Sequence, residues 1–239
     1  KQQFALRVLS TAALMAMVSS IATAAFADTY DLNKGSVTVK TKENGITYVT
    51  QLDNTQKDGY ARNDKDDILH DYQDKTGVTI TSGGEKTSNT ITVETAKDQT
   101  TDVTLENVHI EVDTSKAKSG AIEIKGDGDT NLELNGNNTV LTENDWHEEH
   151  AAIEKADKYG KEGTLTIKDD VNDDGTAKTG TKEDTTGTLL AGGYHEAAAI
   201  GGGKGEDLRD TSNITITGGQ ITAIAGYDGG AGIGGGNDG

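Results

Sequence analysis

The strongest chemical signal in this chain is a set of oxygen donors crowded onto a glycine turn. Asp170-Val171-Asn172-Asp173-Asp174-Gly175 places Asp170, Asn172 and Asp174 at alternate positions ahead of a glycine. That is the first half of a calcium loop: hard oxygen ligands at positions one, three and five, then the residue that makes the sharp turn. Position twelve, where a bidentate Glu belongs, is Thr181, and Glu183 and Asp184 follow it. The flanking segments read as strands, so an EF-hand is excluded. A partial calcium site and a merely solvated acidic turn both remain open. Lys125-Gly126-Asp127-Gly128-Asp129 is a second acidic glycine turn with a weaker claim.

His147-Glu148-Glu149-His150 invites comparison with zinc peptidases. Those need two His four residues apart on one helical face, and here the spacing is three. No helix start and no third ligand accompany the pair, so it reads as a polar turn beside Trp146. Sugar binding calls for aromatic platforms with polar rims. Trp146 is the single Trp, and Tyr194 and Tyr227 each lie six residues before the Ile that closes a repeated small-residue element. The two tyrosines therefore fall at the same corner of successive repeats. They form either a carbohydrate platform, with Trp146 as a further candidate, or a packing ladder.

No catalytic residues are assigned. Polysaccharide-cleaving sites need clustered carboxylates or a Lys or Arg base beside calcium on one face. Here the Lys residues are scattered, and only Arg62 and Arg209 follow residue 27. Gly201-Gly202-Gly203-Lys204-Gly205 lacks the Gly-Lys-Ser/Thr ending and the helix of a phosphate loop.

The elements that must position these residues recur. Gly120-Ala121-Ile122, Ala151-Ala152-Ile153, Ala198-Ala199-Ile200 and Ala231-Gly232-Ile233 set their Ile residues 31, 47 and 33 apart. Ahead of them run Val103/Leu105, Leu132/Leu134, Leu165/Ile167 and Ile214/Ile216, spaced by 29, 33 and 49. A near-constant period of this size means stacked units, each too small to bury a core alone. The apolar positions alternate and carry β-branched residues, which is the strand signal. Gly is abundant at 31 residues, while Pro and Cys are absent. These features point to an all-β chain, a right-handed parallel β-helix over residues 77–239. Each turn of about 30 residues would stack on the last at roughly 4.8 Å. A β-sandwich also shows frequent strands, but it does not predict near-repeated motifs. The single long interval places an acidic loop insertion at about 168–186, leaving the helix on one face.

Residues 28–76 read as an N-terminal β cap, with Asn44-Gly45 as a hairpin turn. Before them, Lys1 and Arg7 precede an apolar run over residues 8–22, and Ala25-Phe26-Ala27 has a small-x-small pattern. Residues 1–27 thus read as a signal peptide, implying a secreted or cell-surface bacterial protein with no membrane insertion after cleavage. The remaining 212 residues hold 20 Lys and Arg against 40 Asp and Glu. Such acidity argues against nucleic acid and suits calcium or neutral polysaccharide, or simply solubility. The chain stops at Asn237-Asp238-Gly239 inside a Gly-rich turn, so the β-helix is expected to be incomplete at its C-terminal end.

The run Val103-Thr104-Leu105-Glu106-Asn107-Val108-His109-Ile110, with Gly120-Ala121-Ile122-Glu123-Ile124 and Asn131-Leu132-Glu133-Leu134-Asn135-Gly136, resembles exported β-helical carbohydrate-binding proteins of clostridia and related bacteria. The later Gly-Ile-Gly-Gly-Gly strings resemble Gly-rich repeats of multidomain surface proteins from the same bacteria. The resemblance spans about residues 76–239 and rests on repeat positions. It implies a parallel β-helix that binds polysaccharide or cell-wall glycan, with calcium. The alternative is a structural stalk or adhesin repeat that presents other domains, and an enzyme ranks third.

Overall fold

A computed structural model describes residues 28–51, 69–74, 77–143, 150–169, 187–237 and 239. Residues 1–27, Trp146, and Asp170, Asn172 and Asp174 with most of the acidic insertion lie outside the described residues.

The chain is mostly β, arranged in three sheets whose strands are parallel apart from an N-terminal excursion. The first sheet takes Asp28–Asp31, Val78–Thr81, Thr100–Glu106, Asp129–Asn135, Leu165–Lys168 and Ile214–Ile216. The second takes Lys86–Thr87, His109–Asp113, Asn137–Glu143, Thr188–Gly192 and Gln220–Ile224. The third takes Val37–Thr41, Ile91–Thr95, Ile122–Lys125, Ile153–Glu154, Ile200–Gly201 and Ile233–Gly234. From Val78 onward the chain visits first, second and third sheet in strict rotation, so each new strand pairs with the one laid down a rotation earlier. At the edge of the third sheet, Thr47–Gln51 and Leu69–Asp74 add antiparallel strands, the first joined to Val37–Thr41 through Asn44-Gly45.

Alternation decides which side chains turn inward. In the third sheet Val37, Ile91, Ile122, Ile153, Ile200 and Ile233 stand in register as one ladder. All but the last are buried, while Ile233 lies on the outermost strand and is exposed. The 31-, 47- and 33-residue Ile spacings are therefore true registers. In the first sheet Val103 and Leu105 oppose Leu132 and Leu134, and Leu165 and Ile167 oppose Ile214 and Ile216. The middle step differs from the spacing expected: Ile167 pairs with Leu132 and Leu165 with Thr130. The slip is two residues. Because side chains repeat every two residues along a strand, a shift of two keeps every apolar residue inward and leaves no mark on the alternation.

Polar ladders stitch the corners. Asn107 (φ 51°) and Gly136 (φ 64°) make equivalent left-handed turns from first to second sheet, the conformation Gly and Asn adopt most readily. Buried Asn138 accepts from Val108 N at 3.0 Å and donates to Asn135 O and Thr188 O, both at 3.2 Å. It thereby ties three successive rotations together. Between third and first sheet, buried Thr95 Oγ1 lies 2.7 Å from Thr101 Oγ1 and 3.1 Å from Thr130 Oγ1, and Thr101 donates to Thr41 at 2.7 Å. Asp169 and Gly187, which flank residues 170–186, lie at the first-to-second corner. The strands beside them stay paired, with Ile167 on Leu132 and Leu189 on Asn138, and Gly187 N donates to Asp169 Oδ2 at 3.2 Å. Among the described residues no helix is long and apolar enough to cross a membrane.

Candidate functional site

Two side-chain clusters have chemical content. The first is the corner where the second sheet hands the chain to the third. Tyr194 and Tyr227 precede Ile200 and Ile233, which pair, so the two rings arrive on neighbouring rotations. Their centroids are 5.6 Å apart in an edge-to-face arrangement, and the His195 ring packs edge-on to Tyr227 at 4.8 Å. His195 adopts a left-handed turn (φ 51°) that buries its ring, and its Nε2 lies 3.0 Å from Asp228 Oδ2. Tyr194 is half-buried, but Tyr227 is 60% exposed. One ring thus supports another that offers its surface to solvent. Polar groups rim the corner: Glu196 accepts from Lys204 at 2.7 Å and Asn237 N donates to Glu196 O at 2.9 Å. Lys204 holds the Glu196 carboxyl below the usual glutamate range, so it stays ionised at this rim. Trp146, the third candidate, lies outside the described residues and is not placed against this pair.

The second cluster is one that sequence reasoning did not assemble. Glu123 and Glu154 each directly follow the inward Ile of their strand, and they pair in register across the third sheet. Both point to the outer side by alternation, yet they are 6% and 0% exposed. His150, four residues before Glu154, is also buried and sets its Nδ1 2.8 Å from Glu154 Oε2, which also accepts from Ala151 N at 3.2 Å. Glu123 Oε2 receives Lys125 Nζ at 2.8 Å and lies 3.4 Å from Thr92 Oγ1. One ligand atom from each of Glu123, His150 and Glu154 falls within 4.8 Å of the other two. Glu154 Oε1 is buried and has no hydrogen-bond partner among the described residues. The signal was present in the chain: Ile122-Glu123 and Ile153-Glu154 repeat the same dipeptide at the same place in consecutive units. What spacing could not reveal was that His150 folds back over them.

The acidic glycine turn at residues 125–129 has a structural use. Asp129 Oδ1 accepts from Thr164 N at 2.9 Å and Asp127 Oδ1 from Glu162 N at 3.4 Å, so its carboxylates cap amides of the next rotation. The calcium candidates Asp170, Asn172 and Asp174 lie outside the described residues.

No protein-family model matches this chain, and comparison with curated proteins and with solved structures also finds no match.

Proposed function

We propose that the chain is a right-handed parallel β-helix exported to the bacterial cell surface or medium, where it binds polysaccharide at the Tyr194–Tyr227 corner. The strict rotation among three parallel sheets supports the β-helix, and parallel crossovers are right-handed in all but a few per cent of cases. The apolar stretch and small-x-small pattern in residues 1–27 support export. The observation that carries the binding reading is the exposed Tyr227 ring, braced edge-on by Tyr194 and His195 and flanked by ionised Glu196 and by Asp228. Aromatic faces stack on the apolar face of a sugar ring, while the polar rim takes its hydroxyls. The resemblance to clostridial-type β-helical carbohydrate-binding proteins points the same way. A partial calcium site at Asp170, Asn172 and Asp174 belongs to the same reading. The regularity of the ladders also favours a second reading, a stalk that presents other domains.

The test uses the Tyr227→Ala variant with polygalacturonate, cellulose and peptidoglycan as ligands. A platform predicts that the parent retains at least one of them and that the variant loses about tenfold or more in affinity, in line with about 1–3 kcal/mol for a stacked ring. Its melting temperature should fall by no more than about 2 °C, since most of the ring is already in water. Unchanged binding together with lowered stability would retire the platform and leave the stalk.

A further inference from the structure

We propose that Glu123, His150 and Glu154 form a buried site for a single divalent first-row metal ion, zinc foremost. Glu123 and Glu154 occupy neighbouring parallel strands in register, so their side chains leave one face of the sheet about 4.8 Å apart at the backbone. Two carboxylates held this close and out of water repel each other and forfeit hydration unless cations compensate. Lys125 compensates Glu123 at 2.8 Å. Glu154, fully buried, is met on Oε2 by His150 and Ala151 N, while its Oε1 has no hydrogen-bond partner among the described residues. A buried carboxylate oxygen left in that state is what a metal ion would satisfy.

The donor set selects the ion. One imidazole nitrogen and two carboxylate oxygens are a borderline set that suits zinc, with manganese or iron as close competitors. Calcium takes six to eight oxygens and no imidazole, so this site is distinct in kind from the acidic turn at Asp170, Asn172 and Asp174. Ligand atoms around a tetrahedral zinc stand roughly 3.4 Å apart given bonds of about 2.1 Å. The three donors already lie within 4.8 Å of one another, so side-chain shifts of about an ångström bring them to that spacing and leave a fourth position for water. Lys125 has a second resting place as the positive charge moves in, because its Nζ already lies 4.8 Å from the Tyr159 ring centroid. Binding takes His150 Nδ1 as a neutral imidazole donor, so any proton it carries is released to buffer on loading.

The experiment takes the full chain, strips it with chelator and titrates zinc by calorimetry in two buffers of different ionisation enthalpy. Crystals grown with zinc are then measured at its absorption edge. We expect one ion per chain, a melting temperature raised by several degrees, and an anomalous peak between Glu123 and Glu154. Glu154→Gln keeps the shape of the side chain and should weaken zinc by about 100-fold or more. If that variant does not fold, the anomalous peak on the parent decides alone. No bound zinc, a peak elsewhere in the chain, or equal affinity in parent and a folded Glu154→Gln would each overturn the site. None of these outcomes depends on whether the tyrosine corner binds sugar.

Discussion

Lys155 stands where a core residue belongs. It follows Glu154 as Ile124 follows Glu123, and it is 1% exposed, with its Nζ donating to Gly160 O at 2.8 Å. Burial pushes the ammonium below the usual lysine value of 10.5, and Asp157 and Asp127 only partly restore it. The sign follows by linkage. Between the depressed folded value and 10.5 the unfolded chain holds more protons than the folded one, so stability rises with pH across that window. Lys155→Met fills the same volume without a charge. It should raise stability at neutral pH by on the order of 1 kcal/mol and abolish the alkaline gain below about pH 10. Urea melts at pH 7 and pH 9.5 check both. Parallel pH dependence in parent and variant would remove Lys155 as its source.

At the level of strands and turns, close stacking leaves some corners with room for hydrogen only. Gly126 has φ +89°, and a Cβ there would stand 2.1 Å from Thr95 O of the rotation before. Its amide donates to Tyr159 O of the rotation after at 2.7 Å, so the backbone cannot back away without breaking that bond. Gly126→Ala meets both a disfavoured conformation and a carbonyl collision, and it should cost about 2 kcal/mol or more. Gly205, whose φ is +99° but whose Cβ would meet nothing within 4 Å, separates the two causes. Gly205→Ala should cost only the conformational part, about 1 kcal/mol. Equal losses in the two thermal melts would mean that the collision at Gly126 is relieved by movement. The edge-on Tyr194–Tyr227 contact belongs to this scale as well, because it exists only where successive turns repeat their shape.

For the molecule as a whole, the interruption in the repeat tests how far each rotation depends on its neighbours. Asp169 and Gly187 are joined by a hydrogen bond at 3.2 Å, and the strands on either side remain in register with the rotation before. Deleting residues 170–183 leaves three residues to span ends that already meet. Loop length changes closure entropy slowly, so the deletion should shift the melting temperature by only a few degrees and preserve the β circular dichroism signal. Calcium supplies a second reading from the same pair of proteins. If Asp170, Asn172 and Asp174 bind it, calcium should stabilise the parent and not the deletion. Equal stabilisation of both would remove those three residues as ligands.

The residues of this chain determined by themselves that strands would dominate, that they would recur with a near-constant period, and which side chains would face inward. Alternation in Asn131-Leu132-Glu133-Leu134 and the repeated Ile122, Ile153, Ile200 and Ile233 carry that information locally, and the Ile ladder followed their spacing. The nearness of Tyr194 and Tyr227 was legible for the same reason. Only the tertiary structure decided the rest. Pairing Leu132 with Ile167 rather than Leu165 turns on a two-residue slip that alternation cannot record, since both registers bury the same face. The meeting of Glu123, His150 and Glu154 depends on His150 lying over the outer side of a sheet, where period-two patterning predicts solvent. Lys155 took an inward position because ladder continuity, set by the strands on either side, outweighed the cost of burying its charge. Local spacing specifies which face a residue is on; what covers that face is a property of segments far apart in the chain.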